Sequence, residues 1–189
     1  GPLPPIRGGI SAHTEGAIEA LRACGHEVLA IAYDRLYPRC VAGPRPGSGA
    51  QPFSSGVART VDCLSPRTWL RAAASARAFA PDVVIAQYWT PIVAAAIGVV
   101  LSRAGTAKRV VVCPNVLPHE WIPGGLGVAR ALLRRCDGVI FHSRHVMTRA
   151  AVLGCRSPSA VARVPLLIGG REAEGRPLPE LMEAWQRGA

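Results

Sequence analysis

Residues 4–33 read PPIRGGISAHTEGAIEALRACGHEVLAIAY, which is a glycine pair, then a helical pattern, then an apolar run. The pattern predicts a helix over 11–23 and a strand over 27–33. The tandem glycines Gly8 and Gly9 let backbone amides approach a ligand where side chains would block it. Because the first amides of a helix are unpaired and lie at the positive end of its dipole, this loop suits a phosphate or a polar sugar.

The rest of the chain continues this alternation of helices with short apolar strands. Further helices are predicted over 65–79, 91–104, 126–135 and 143–153, and further strands over 83–86, 109–113, 138–142 and 160–164. Short strands that are apolar throughout are typical of a parallel sheet covered on both faces. The sequence therefore predicts an α/β fold, a Rossmann-like parallel sheet with helices on both faces.

Three details of this interpretation depend on single residues. Ser11 and Ser143 are predicted to cap the helices that they precede. Residues 34–56, rich in Pro and Gly, are predicted to form a loop. A glycine-rich loop such as Gly8-Gly9 normally follows the first strand of a parallel sheet. Since the prolines before this loop form no strand, we expect that strand to lie upstream of Gly1.

Composition limits the function without naming it. The 189 residues carry a formal charge of +10, which suits an anionic lipid, a phosphorylated substrate or simply a solvated basic surface. No nucleic-acid-binding motif is visible, so nucleic acid is disfavoured as a partner. The six cysteines show no CxxC spacing, which predicts free thiols in a reducing, cytoplasmic compartment and no metal site. The longest apolar stretch, residues 91–101, is too short to span a bilayer.

A set of short runs, taken in order, resembles the N-terminal domain of GT-B fold retaining glycosyltransferases of the family 4-like group. The runs are Pro5–Ser11, Gly25–Val28, Tyr37-Pro38, Pro81–Val84, Asn115–Glu120 and His142-Ser143. The resemblance implies that such a domain binds the acceptor, while a C-terminal domain binds most of the nucleotide-sugar. It further implies transfer of a hexose in the cleft between the two domains, with the nucleotide-sugar as substrate and no cofactor.

The same resemblance implies roles for individual residues. Gly8 and Gly9 would lie against the donor diphosphate or the acceptor, and Asn115, His119 and Glu120 would line the acceptor side of the cleft. His119 beside Glu120 is the predicted catalytic pair, which orients an acceptor hydroxyl or takes its proton. The alternative for the glycines is a tight turn, and for the His-Glu pair an exposed loop.

Two further histidines are candidate binding residues. His13 lies in the first turn of the predicted helix, close to the glycine pair, and His142 ends a predicted strand. Both could face the ligand cleft. For His13 the alternative is a surface position, and for the run at His142 it is the capping role of Ser143.

The domain organisation is interpreted as one domain over 1–165, followed by a linker and a helix over 166–189 with no donor-binding domain. On this interpretation the chain alone does not catalyse sugar transfer. The sequence differs from the family that it resembles at two places. Pro114, directly before the run Asn115–Glu120, stands where those proteins often have His. Residues 165–167 read Pro-Leu-Leu where those proteins have Pro-His-Gly or Pro-Asn-Gly.

Two alternatives to a transferase were considered. A basic binding module could hold a polyanion or attach to the inner face of a membrane, since the helix over 65–79 resembles an interfacial helix. That helix combines three arginines with three apolar residues: Arg67, Arg71, Arg77, Trp69, Leu70 and Phe79. A lipid-linked acceptor would combine the membrane hypothesis with transfer. A dinucleotide-dependent oxidoreductase is disfavoured because no GxGxxG run is present.

Overall fold

The computed structural model describes residues 1–4, 6, 8–36, 57–116 and 123–162. The helices of this part of the chain are α1 (Gly9–Ala23), α2 (Pro66–Phe79), α3 (Pro91–Arg103), α4 (Gly125–Leu133) and α5 (Arg144–Val152). Its strands are β1 (Ala30–Arg35), β2 (Val57–Asp62), β3 (Val83–Gln87), β4 (Lys108–Cys113), β5 (Gly138–Phe141) and β6 (Ser159–Val161). The predicted helix over 178–187 lies outside the described residues.

Every strand pairing is parallel, and the strands form two sheets. One sheet has the order β1-β2 and the other β3-β4-β5-β6. A helix precedes or follows each of the strands from β1 to β5, as expected when parallel neighbours are joined by crossover helices. The predicted Rossmann-like α/β class is therefore confirmed.

The second sheet and the helices around it hold most of the core. Tyr88, Val93, Val111, Leu133 and Phe141 are each at most 1% exposed and belong to one cluster. Apolar side chains from β4, β5, α3 and α4 meet there, which explains why these strands read as continuous apolar runs. The carboxyl ends of β3, β4 and β5 are thereby held side by side.

Two ion pairs join neighbouring strands. Arg35 of β1 binds Asp62 of β2 through two hydrogen bonds, one of them from Nε to Oδ1 at 2.9 Å. Arg109 of β4 binds Asp137, just before β5, through its backbone N–H at 2.8 Å and its Nε at 2.9 Å. The guanidinium group of Arg109 holds the pKa of Asp137 at about 2, mainly by hydrogen bonding.

The structure corrects the predicted start of α1. The helix begins at Gly9, with Gly8 as its N-cap at φ 142°, so Ser11 is the third helical residue and does not cap. Only glycine adopts such a φ without strain. Gly8 therefore allows the helix to begin two residues before its predicted start at residue 11. Ser143, in contrast, caps α5 as predicted, because its Oγ accepts a hydrogen bond from the Val146 amide at 3.3 Å.

The first sheet was predicted least well. The strand predicted over 27–33 runs instead from Ala30 to Arg35, and β2 was not predicted. Residues 34 and 35 therefore belong to β1 and not to the loop, while 37–56 lie outside the described residues. β2 reads VARTVD, a mixed pattern beside the glycine-rich run, and so lacks the apolar signal of a buried strand.

Two burial predictions were wrong. The helical pattern over 65–79 predicts that the apolar side chain of Leu70 faces inward, but it is 48% exposed, because the inner face of α2 is formed by Ala72, Ala73 and Ala76. The strand over 83–86 was expected to be buried, yet Val83 and Ile85 are 46% and 47% exposed. They border a cavity between β1 and β3, two strands that are not hydrogen-bonded to each other.

Candidate functional site

Three polar side chains meet where α1 begins and where β3 and β5 end. Gln87 is the last residue of β3, and His142 directly follows β5. The Nε2 of Gln87 lies 3.0 Å from the Nδ1 of His13, and the ring centroids of His13 and His142 are 5.0 Å apart at a tilt of 52°. We call His13, Gln87 and His142 the histidine cluster. Its members come from distant parts of the sequence and lie at the carboxyl edge of the sheet, where open α/β sheets bind ligands.

The start of α1 lies one helical turn from this cluster. Gly9 and His13 are four residues apart and therefore share a helix face. Among the described residues no side chain caps the helix, and its first turn contains no acidic residue. A Cβ added to Gly8 or Gly9 would meet no atom of those residues within 4 Å, so the described part of the chain leaves the space above the loop open. The unpaired first amides of α1 can therefore reach an anionic or polar group placed there.

Buried polar atoms in this region lack partners among the described residues. They are the Oε1 of Gln87, the Nε2 of His142 and the Oγ of Ser11. Gln87 is 5% exposed and Ser11 is 4% exposed. Leaving such an atom unpaired costs about 1–3 kcal/mol, so natural proteins keep it mostly where a ligand or water completes the bond.

Electrostatically the histidine cluster is neutral. Burial lowers the pKa of His13, and burial followed by the proximity of His13 lowers the pKa of His142. Both imidazoles are therefore uncharged at pH 7. With the amide N–H of Gln87 donating to Nδ1, His13 carries its proton on Nε2 and can donate it to a ligand.

The sequence-predicted site residues fall into three groups. Gly8, Gly9, His13 and His142 are gathered at one edge of the sheet, and their roles in binding stay predictions. Asn115 lies two residues after β4 and is half-buried, and its backbone carbonyl accepts a hydrogen bond from the Cys113 thiol at 3.4 Å. Within the described part of the chain, the side-chain amide of Asn115 makes no observed contact with the histidine cluster.

The predicted catalytic pair, His119 and Glu120, lies outside the described residues. The segment that leads to it starts from a fixed point, because the Tyr88 hydroxyl donates a hydrogen bond to the Val116 carbonyl at 3.1 Å. This bond ties the end of β3 to the residues that follow β4. The identification of His119 and Glu120 as catalytic therefore stays a prediction.

Gln87 is the site residue that sequence reasoning missed. The predicted strand stopped at Ala86, so Gln87 was left between elements. The available signal was a polar side chain directly after an apolar strand, which is the position that drew attention to Asn115 and His142. Burial of Gln87 beside His13 could not be read from the sequence, because the two residues are 74 positions apart.

No group of three or more His, Cys, Asp or Glu side chains that could hold a metal ion is found among the described residues. The five cysteines within them, Cys24, Cys63, Cys113, Cys136 and Cys155, carry free thiols. Burial raises the pKa of Cys113 to about 12, so this thiol beside the site is not a nucleophile at neutral pH.

A parallel α/β fold, a helix that begins at a glycine pair and, among the described residues, polar atoms without partners near the strand ends are the features of a Rossmann-like domain. The family model described as "Glycosyl transferase 4-like domain" matches residues 8–166, and the chain belongs to this family of glycosyltransferases. The resemblance stated from the motifs is thus confirmed. No curated protein and no solved structure matches the chain.

Proposed function

We propose that the chain forms the acceptor-binding half of a retaining hexosyltransferase that uses a nucleotide-sugar donor. The observation that carries this proposal is the histidine cluster, whose buried Gln87 Oε1 and His142 Nε2 have no partner among the described residues. His13, which contacts Gln87 and His142, lies one helical turn from the start of α1, so the site combines neutral hydrogen-bonding groups with an anion-binding helix end.

The chemistry of the cluster matches a sugar better than a charged group. A sugar hydroxyl donates one hydrogen bond and accepts others, so it can donate to Gln87 Oε1 while accepting from His13 Nε2–H. An anion in place of the sugar would meet the carbonyl dipole of Gln87 and two uncharged rings. The amides at Gly9 and the next residues suit the phosphate oxygens of the donor instead.

The chemical step is assigned by the family resemblance rather than by geometry. In retaining transfer, departure of the nucleoside diphosphate leads, so the acceptor hydroxyl needs orientation more than a strong base. We propose that His119 and Glu120 supply this orientation, that Asn115 lines the same side of the cleft, and that residues 1–165 form the acceptor domain. On this proposal transfer requires a donor-binding domain in addition to this chain.

The alternative of a membrane-bound module has less support. Arg67, Arg71 and Leu70 are exposed on α2, but Trp69 turns inward and donates a hydrogen bond from Nε1 to the Asp62 carbonyl at 2.7 Å. Phe79 is half-buried and lines the cavity between the sheets. Within the described residues, no helix has the length and apolarity needed to cross a membrane. A lipid-linked acceptor and a cytoplasmic location at the inner membrane face stay predictions.

The test of the proposed function is a transfer assay with the protein expressed from its complete gene. Nucleotide-activated hexoses are supplied with candidate sugar and lipid-linked acceptors, and release of the nucleoside diphosphate is measured. The Gln87→Leu variant is expected to lower kcat/KM for the acceptor by about tenfold or more, since leaving a buried hydrogen-bond partner unsatisfied costs about 1–3 kcal/mol and tenfold corresponds to about 1.4 kcal/mol.

The matched control is Thr148→Ala, an exposed substitution on α5 that leaves the site untouched. It is expected to keep the activity of the parent protein. Use of no nucleotide-sugar by the complete protein would refute the proposed function. Equal activities of Gln87→Leu and Thr148→Ala would refute the role of the histidine cluster.

A further inference from the structure

Two arginine side chains at the end of α4 converge on the turn that ends α5. A Cβ added to Gly154 would lie 3.4 Å from Nη2 of Arg130, 3.4 Å from Nη2 of Arg134 and 3.5 Å from Nε of Arg130. Since both Nη2 atoms lie at the same distance from one point, they are at most twice that distance apart. We call Arg130 and Arg134 the arginine pair.

The turn at Gly154 gives the arginine pair its place. Gly154 has φ 80°, and its N–H donates to the Ala151 carbonyl at 2.9 Å, while the Cys155 N–H donates to the Ala150 carbonyl at 3.0 Å. This is the usual way in which a glycine in the left-handed region ends a helix. Because Gly154 has no side chain, two guanidinium groups can lie against the same turn.

The arginine pair has no acidic partner among the described residues. Both side chains are exposed, and neither is observed to make a hydrogen bond or an ion pair there. They are four residues apart on one helix face, where like charges repel each other. The only acidic residue within 123–162 is Asp137, which is bound to Arg109. The same range contains six arginines: Arg130, Arg134, Arg135, Arg144, Arg149 and Arg156.

The helix ends next to the arginine pair balance only part of its charge. Arg130 lies in the last turn of α4, and Gly154 directly follows the C-cap residue of α5. The carboxyl end of a helix carries about half of a negative elementary charge. The ends of α4 and α5 together therefore offset about one of the two positive charges, and about one is left to attract an anion.

Arg130 turns a hydrogen-bonding edge of its guanidinium group towards this turn. The edge consists of Nε and Nη2. Elsewhere in the molecule Arg35 and Arg109 use the same two atoms to bind the carboxylates of Asp62 and Asp137. At Gly154 the same kind of edge has no carboxylate to bind among the described residues, and Nη2 of Arg134 lies beside it.

The arginine pair lies far from the histidine cluster. α4 ends at Leu133 before β5 begins at Gly138, and α5 ends at Val152 before β6 begins at Ser159. The pair is therefore at the edge where these parallel strands begin, while the histidine cluster is at the edge where β3 and β5 end. A ligand of the arginine pair would thus occupy a second site, separate from the candidate transfer site.

We propose that the arginine pair and the turn at Gly154 bind the phosphate group of a phosphate monoester. A phosphate monoester has three terminal oxygens and up to two negative charges, so it can accept hydrogen bonds from two guanidinium groups at once. A carboxylate has only two oxygens and one charge, which one arginine already satisfies in the pairs with Asp62 and Asp137. The inference does not depend on the proposed transfer reaction.

The test is an NMR titration of the full isotope-labelled chain with inorganic phosphate and with glycerol 3-phosphate. The Nε–H signals of Arg130 and Arg134 and the backbone amide of Gly154 serve as probes. We expect both compounds to shift these signals. The double variant Arg130→Gln/Arg134→Gln is expected to weaken the binding of glycerol 3-phosphate by about tenfold or more, because it removes both charged forks.

The matched control is the double variant Arg77→Gln/Arg103→Gln. Arg77 and Arg103 are exposed and lie in the last turns of α2 and α3, so the control removes the same charge from two other helix ends. It is expected to weaken binding by less than about twofold. Thermal unfolding of all variants checks that each is folded, which we expect because the four arginines are exposed.

A phosphate monoester can belong to a soluble molecule or to a lipid headgroup, and a second assay separates the two. Cosedimentation is measured with phosphatidylcholine vesicles that contain phosphatidic acid. Vesicle binding that only Arg130→Gln/Arg134→Gln reduces identifies a lipid headgroup, whereas an effect of this variant on glycerol 3-phosphate alone identifies a soluble ligand. Equal effects of the two double variants in both assays, or no binding in either assay at millimolar concentration, would overturn the proposal.

Discussion

The histidine cluster and the cavity between β1 and β3 are neighbouring regions next to α1, and their surfaces suit different contacts. At the carboxyl edge the histidine cluster buries polar atoms without hydrogen-bond partners among the described residues. Below it, a cavity of about 590 Å³ between β1 and β3 has mostly apolar walls, and within the described residues these two strands do not hydrogen-bond to each other. Gln87 belongs to both, since its amide bonds to His13 while its Cγ lies next to Gly1.

The difference shows how one parallel sheet serves binding and folding at once. Polar atoms at the strand ends without partners among the described residues suit a small, hydroxylated ligand that binds reversibly. The apolar walls of the cavity between β1 and β3 contribute instead to the packing of the fold. Substitutions in the two regions should therefore separate: those in the cavity walls act on stability, and those in the histidine cluster act on binding.

The largest expected effect is loss of stability on trimming a cavity wall. Ile97 of α3 is 5% exposed and packs in the main core as well as against the cavity. Ile97→Ala is expected to lower the free energy of unfolding by about 3 kcal/mol, as usual for a buried aliphatic side chain. Urea unfolding measures it, and a loss under about 1 kcal/mol would show that this wall is loosely packed.

The complementary change belongs to the histidine cluster. Gln87→Leu removes the unpaired Oε1 and also the hydrogen bond to His13, so the two contributions to stability offset each other. We expect the free energy of unfolding to change by less than about 1.5 kcal/mol while ligand affinity drops by about tenfold or more. A stability loss as large as that of Ile97→Ala would erase the distinction between the two regions.

A smaller effect is expected from pH. Burial lowers the pKa values of His13 and His142 from 6.5 in the folded protein. At a pH between 6.5 and the lowered pKa values, the unfolded chain therefore binds more protons than the folded protein. This contribution to stability is fully present above about pH 6.5 and declines as the pH falls below it. Denaturant unfolding at pH 7 and pH 5 should show a smaller acid loss in His142→Gln than in the parent. An unchanged loss would contradict burial of His142 in the folded state.

The smallest effect belongs to an ion pair away from both regions. Arg109 holds the pKa of Asp137 at about 2, so the carboxylate stabilises the fold above about pH 3.8, and this stabilisation is lost as the pH falls towards 2. Asp137→Asn is expected to be slightly less stable than the parent at pH 7, with the gap closing near pH 2. A gap that persists at pH 2 would point to packing and not to charge.

How far the sequence alone predicts this molecule differs between the two sheets. The strands β4 and β5 were predicted closely because they are buried on both faces and read as apolar runs. β1 and β2 were shifted or missed, because VARTVD carries no apolar period and Gly8 moves the helix start away from Ser11. Local sequence patterns therefore predicted the sheet that contains β4 and β5, but not the sheet formed by β1 and β2.

The candidate site shows the same limit. Gly8, Gly9, His13 and His142 were proposed as binding residues because they lie at or near predicted element ends, which parallel topology brings to one edge; the structure places them together there, and their role in binding stays a prediction. Gln87 was missed because its importance comes from a contact across 74 positions, and no local pattern encodes such a contact. The cavity between β1 and β3 was not predicted, because it depends on how helices and strands that are distant in the sequence pack together.

The most direct test of the histidine cluster as the ligand site is an NMR titration of the isotope-labelled chain with free hexoses, nucleoside diphosphates and nucleotide-sugars. The imidazole signals of His13 and His142 and the side-chain amide of Gln87 serve as probes. The expected result is that at least one hexose or nucleotide-sugar shifts all three probes, and that Gln87→Leu weakens this binding by about tenfold or more. No shift with any of these compounds at millimolar concentration, or shifts that Gln87→Leu leaves at the same affinity, would contradict the assignment.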